Sequence, residues 1–127
     1  MAEYHSISDL VKLSIDNNQE IWQVVLTGQA QDKMMSERDV FAQMKQMYRA
    51  MKSADELYDW QLKSPSGMAG GDGYRMRQYN ESGNNICGDF IGMVMEKALK
   101  MGESNACMKR IVAAPTAGSC GVIPGVL

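Results

Sequence analysis

Ser36-Glu37-Arg38-Asp39-Val40-Phe41-Ala42-Gln43-Met44-Lys45-Gln46-Met47-Tyr48-Arg49-Ala50-Met51 is the stretch that decides the fold. Val40, Met44, Met47, Tyr48 and Met51 recur at helical spacing and share one face. Ser36 stands where an N-cap belongs, and Glu37 and Asp39 put acids in the first turn, where the helix dipole favours them. Lys45, Arg49 and Lys52 fall on the opposite, water-facing side. The pattern runs on through Leu57, Trp60 and Leu62 and stops at Ser64-Pro65, because proline disfavours helix at the residue before it. A helix over 37–62 is therefore expected.

The flanks read the same way. On the N-terminal side, Leu10, Val11, Leu13, Ile15, Ile21, Val24 and Val25 repeat at roughly helical spacing after Ser8-Asp9. Ser8 is the expected N-cap and Gly28 the expected end. On the C-terminal side, Cys87, Phe90, Ile91, Val94, Met95, Ala98 and Leu99 predict a helix over 86–104. Its Gly88 and Gly92, four apart, would let another helix approach closely. No strand pattern alternates with these segments, and there is no internal repeat or low-complexity tract. The expected fold class is all-α, a helical domain with glycine-rich loops.

Composition narrows the function. A chain of 127 residues corresponds to one domain or a large piece of one. A formal net charge of −2 gives no electrostatic footprint for nucleic acid or an anionic membrane, so neither is an expected partner. Charged residues and glycines interrupt every apolar run, which excludes a transmembrane helix. Met1-Ala2-Glu3-Tyr4-His5 lacks the basic and apolar regions of a signal peptide, so a cytoplasmic setting is expected. The three cysteines, Cys87, Cys107 and Cys120, include no CxxC pair and do not suggest a disulfide framework. His5 is the sole histidine and lies near the terminus, which argues against a Cys–His or Ser–His–Asp unit.

Two loops have the chemistry to bind something. Ser66-Gly67-Met68-Ala69-Gly70-Gly71-Asp72-Gly73 holds four glycines in eight residues. It reads either as a hydrogen-bonding cradle for a small anion or as a flexible connection, and it lacks the P-loop pattern. Pro115-Thr116-Ala117-Gly118-Ser119-Cys120-Gly121 precedes an apolar run that looks like the first turn of a helix. Free N–H groups at a helix start bind anions, and they favour thiolate at a neighbouring cysteine. On these grounds Cys120 is a candidate nucleophile or soft-metal ligand. The alternative is an inert turn.

The run from Arg110 to Leu127, RIVAAPTAGSCGVIPGVL, resembles the hallmark segment of the iron–sulfur-dependent L-serine dehydratase α chain. Ser66–Asp72 resembles the SGxTGGD-like loop of that family, with Ala69 where a hydroxyl residue is usual. Ala98–Met108, with Glu103 and Asn105, resembles its AxxxxExNAxM-like segment, although Cys107 and Lys109 replace smaller residues. The resemblance implies a lyase that deaminates L-serine to pyruvate and ammonia. In that chemistry a 4Fe–4S cluster, held by three cysteines, acts as Lewis acid on the substrate hydroxyl. It implies Cys120 as one cluster ligand, and Ser66, Gly67, Gly70, Gly71, Thr116, Gly118 and Ser119 as the region holding the serine carboxylate and amino group. The base is not identified.

The family continues past this point with two more cluster cysteines. Residues 1–127 are therefore expected to be the N-terminal portion of the catalytic domain, inactive alone. The expected partners are L-serine, a β chain or β domain, and further copies in an oligomer. A carboxylate- or amino-acid-binding module without catalysis remains the alternative. A thiol redox pair of Cys107 and Cys120 is a weaker one, since CxxC is missing. If Cys120 is the ligand, it should be the most accessible and most acidic thiol, with Cys87 and Cys107 packed in apolar surroundings.

Overall fold

The computed structural model describes residues 4–114 and 116–127. Among these residues the structure is all-α, with six α-helices, one 3₁₀ turn and no strand. The helices are α1 Ile7–Asp16, α2 Ile21–Asp32, α3 Glu37–Glu56, α4 Asp72–Glu81, α5 Gly88–Ala106 and α6 Val122–Val126. No described helix is long and apolar enough to cross a membrane. The chain divides into two compact units, Met1–Gln46 and Met47–Leu127.

In the first unit, the single helix expected after Ser8 is in fact two. The N-cap is Ser6: its Oγ accepts from the Asp9 amide at 3.2 Å, and Asp9 Oδ2 accepts from the Ser6 amide at 3.0 Å. The break falls at Asn18, whose φ of +49° is left-handed, a conformation asparagine tolerates better than most residues. Gly28 does not end the second helix. It lies inside α2, where an added Cβ would come 3.5 Å from the Tyr4 ring. At the start of α3, Ser36 Oγ accepts from the Asp39 amide at 3.1 Å, as the sequence suggested.

The second unit is built on α5. Its α4–α5 hairpin is antiparallel: the start of α4 meets Glu103 near the end of α5, and Asn80 near the end of α4 donates to Gly92 O at 2.9 Å. Gly92 is small for this polar contact, since a Cβ there would lie 1.9 Å from Asn85 Nδ2. Antiparallel α6 packs on the same helix through Gly121 and Gly125, against Ala98 and Val94. Asp55, near the end of α3, is bound by Lys97 at 2.8 Å and by Lys100 at 3.5 Å, and Lys100 also reaches Glu96 at 2.8 Å. Met101 is buried at the centre of this unit with 1 % exposure.

The second half of the chain also departs from expectation. The helix predicted to reach residue 62 stops at Glu56, and Asp72–Glu81 is a helix that periodicity did not indicate.

Candidate functional site

The glycine loop is held at its neck by Ser64, a buried serine. Its amide donates to Ala69 O at 2.9 Å, and its Oγ accepts from the Ala69 amide at 3.1 Å. The tip, Ser66–Met68, is exposed. Ser66 Oγ lies 3.1 Å from Ser64 Oγ and accepts from the Met68 amide at 3.4 Å. The Gly67 amide donates to Ser64 O at 2.8 Å. Lys63 Nζ donates to Gly70 O. Gly70 and Gly71 have φ of +135° and +89°, and a Cβ on Gly70 would sit 2.2 Å from Leu62 O. Glycine is therefore required where the loop turns into α4.

That turn carries a contact the sequence did not reveal. The N-cap of α4 is Gly71, which has no side chain to satisfy the first amides. Glu103 of α5 does so from 30 residues away: Oε1 accepts from the Asp72 amide at 2.5 Å and Oε2 from the Gly73 amide at 3.2 Å. The Tyr58 hydroxyl donates to Oε2 at 2.5 Å, and Lys100 Nζ lies over the Tyr58 ring, 5.8 Å from its centroid. Glu103 is only 7 % exposed. Burial alone would raise its pKa, but the Tyr58 hydroxyl and the α4 amides outweigh that and hold the carboxyl below its ordinary value. Tyr58 moves the other way, pushed up first by burial and then by the Glu103 carboxylate.

The second loop is stitched internally. Thr116 Oγ1 and Ser119 Oγ lie 3.1 Å apart, Ser119 Oγ accepts from the Thr116 amide at 3.2 Å, and its hydroxyl donates to Ala114 O at 2.9 Å. Thr116, Ala117 and Gly118 are exposed. Pro115, part of the motif, lies outside the described residues. Each of the hydroxyls of Ser66 and Thr116 retains hydrogen-bonding capacity toward a ligand. Both loops are anchored on α5, one through Glu103 and the other through Ala98 and Met101, and no hydrogen bond joins them among the described residues.

The thiols do not follow the expected order. Cys120 is 2 % exposed, and its Sγ–H is directed at Met101 O, 3.8 Å away. Burial pushes its thiol above the ordinary value, the reverse of what a helix start would do. The reason is that α6 is five residues long and lies flat against α5. Cys87 is the exposed thiol, at the N-cap of α5, and Cys107 is intermediate. Among the described residues no group of three or more His, Cys, Asp or Glu side chains is placed to hold a metal ion.

The family described as "Serine dehydratase alpha chain" matches residues 16–127. The chain belongs to that family. Similar proteins include a "Probable L-serine dehydratase, alpha chain" of Bacillus subtilis (strain 168), 30% identical over 124 residues, covering 98% of this chain and 41% of that protein. Another is the "L-serine dehydratase, alpha chain" of Peptoniphilus asaccharolyticus, 48% identical over 58 residues, 44% of this chain and 20% of that protein. A third is the "L-serine dehydratase" of Haemophilus influenzae (strain ATCC 51907 / DSM 11121 / KW20 / Rd), 29% identical over 131 residues, 98% of this chain and 28% of that protein. The chain spans less than half the length of these curated relatives. No solved structure matches it. Within this serine dehydratase α-chain member, Tyr58 and Glu103 are the residues that reasoning from sequence missed as part of the loop's framework. Glu103 stood out only as part of the AxxxxExNAxM-like segment, which gave it no role.

Proposed function

We propose that this chain is the loop-bearing N-terminal portion of a lyase that deaminates L-serine to pyruvate and ammonia. The family match over residues 16–127 carries the reading, since it spans both loops. In this reading Ser66, Gly67, Gly70 and Gly71, with Thr116, Gly118 and Ser119, hold the carboxylate and amino group of serine. The exposed tips supply hydroxyls and backbone groups, and the buried necks keep them in place, so little ordering remains to be done on binding.

An iron–sulfur cluster belongs to the complete enzyme in this proposal, with Cys120 as one ligand. Among the described residues no side chains gather with Cys120 into a cluster site, and a cubane needs further thiolates. The rest of the donor set, and a β chain or β domain, would come from outside these 127 residues, in a cytoplasmic, oligomeric enzyme. The isolated chain is accordingly expected to bind serine without converting it.

Titration of the ¹⁵N-labelled chain with L-serine, with L-alanine and acetate as comparators and a parallel pyruvate assay, tests this. The expected result is shifts of the amides of Ser66–Gly71 and Thr116–Ser119 with serine, and no pyruvate. Absence of any serine-dependent shift at either loop would overturn the assignment of the site. Equal response to acetate would favour a general carboxylate-binding module, and pyruvate formation would overturn the expected inactivity.

A further inference from the structure

We infer that Glu103 is a positioning residue for the glycine loop: held by Tyr58, its carboxylate fills the open N-terminus of α4 and fixes the backbone from Gly70 to Gly73 in the shape that meets the ligand. The inference rests on reading Ser66–Gly71 as a serine-binding loop.

Glycine occupies the N-cap of α4, and glycine at Gly70 and Gly71 is required by positive φ and by Leu62 O. The residues that make this turn possible therefore cannot also cap it. A buried helix start without partners for its amides is costly. Glu103 supplies acceptors to two successive amides with its two oxygens, so the carboxylate plane sets the direction of the Asp72 and Gly73 N–H groups together. The Tyr58 hydroxyl donates to Oε2, the oxygen that also accepts from the Gly73 amide, and Lys100 lies over the Tyr58 ring. Gly73 fits tightly under this arrangement, since a Cβ there would meet Lys100 Cγ at 2.8 Å and the Tyr58 hydroxyl at 3.1 Å.

A consequence concerns the ligand. The anion site that a helix start offers is already filled at α4 by the chain's own carboxylate. A serine carboxylate at this loop must use groups before Asp72, at Ser66–Gly71, and those groups are placed by the strut behind them. Glu103 acts through the loop backbone and is not a catalytic residue.

The test uses the full 127-residue chain with Glu103→Gln, Tyr58→Phe and Asn80→Ser. Asn80→Ser loosens the same α4–α5 pair at its opposite end, where Asn80 holds Gly92 O, and serves as a control for stability alone. In Glu103→Gln, the amide protons of Asp72 and Gly73 should move upfield and exchange faster, with helix content retained. Affinity for L-serine should fall about tenfold, which corresponds to about 1.4 kcal/mol. Tyr58→Phe should do the same to a smaller degree, and Asn80→Ser should lower the melting temperature while leaving the loop amides and serine affinity near wild type.

Serine binding by the wild type with unchanged affinity in Glu103→Gln would overturn the inference and leave the serine-binding loop standing. An equal loss in Asn80→Ser would also overturn it, by reducing Glu103 to a general stabilising role. No binding by the wild type would instead overturn the loop assignment and the inference resting on it.

Discussion

At the scale of single residues, the position of a thiol matters less than what closes over it. Cys120 has glycine and small polar neighbours in sequence, and a helix follows it, which are the ordinary conditions for an acidic thiol. In the fold, Met101 and α5 remove it from water, and removal from water disfavours the thiolate. Nothing within the Pro115–Gly121 motif records that contact, because Met101 is 19 residues away. The thiols should react with iodoacetamide in the order of their exposure: Cys87 first, Cys107 next and Cys120 last. At neutral pH, peptide mass spectrometry should find Cys120 modified more slowly than Cys87, because the reagent must reach a sulfur on a residue only 2 % exposed while Cys87 is open to solvent. Alkylation of Cys120 ahead of Cys87 in the folded chain would refute the burial described here.

At the scale of elements, α6 is attached to α5 through the absence of side chains. A Cβ on Gly121 would come 2.7 Å from Ala98 O and 2.9 Å from Ala98 Cα, and one on Gly125 would come 3.0 Å from Val94 O. These neighbours are backbone and cannot rotate away. Gly121→Ala is expected to destabilise by about 1–3 kcal/mol through overpacking. Gly125→Ala should cost less, and Gly118→Ala almost nothing, since its nearest neighbour outside the chain path is Thr116 Oγ1 at 3.9 Å. Urea unfolding of the three variants gives the ranking, and an equal midpoint for Gly121→Ala and Gly118→Ala would contradict the close approach.

The elements also mark where sequence reading stops. The α3 and α5 patterns were legible because their apolar residues recur every three or four positions. The α4 helix was not: Asp72-Gly73-Tyr74-Arg75-Met76-Arg77-Gln78-Tyr79-Asn80-Glu81 has no apolar stripe, opens on glycines and borrows its cap from Glu103. The division of α1 from α2 escaped for another reason: the apolar residues on either side of the polar run Asp16-Asn17-Asn18-Gln19-Glu20 were joined into one helical pattern, while the chain breaks inside that run at the left-handed Asn18. Both glycine-bearing loops were legible as loops, but the strut behind one and the cover over the other come from α5 and are visible only in three dimensions.

At the scale of the whole molecule, the composition of the surface is the controlling fact. Among the described residues few large apolar side chains are fully buried, while Ile7, Ile15, Trp22, Phe41, Met44 and Phe90 are among those left exposed. In the first unit, Trp22, Val25, Phe41 and Met44 line an open apolar groove of about 770 Å³. A formal charge of −2 provides little mutual repulsion between copies. Contiguous apolar surface on this scale is a site of association. The chain is therefore expected to self-associate, with the weight-average mass in sedimentation velocity rising over the µM–mM range in which exposed apolar surface drives association. Trp22→Lys combined with Phe41→Lys should shift that dependence to higher concentration, because two cations in the groove both break the apolar surface and repel their counterparts. The helix content of the double variant should match that of the wild type, since both side chains are more than 50 % exposed (57 % and 54 %). A wild-type chain that stays monomeric at about 100 µM, within that range, would mean that these side chains are less accessible than the fold places them.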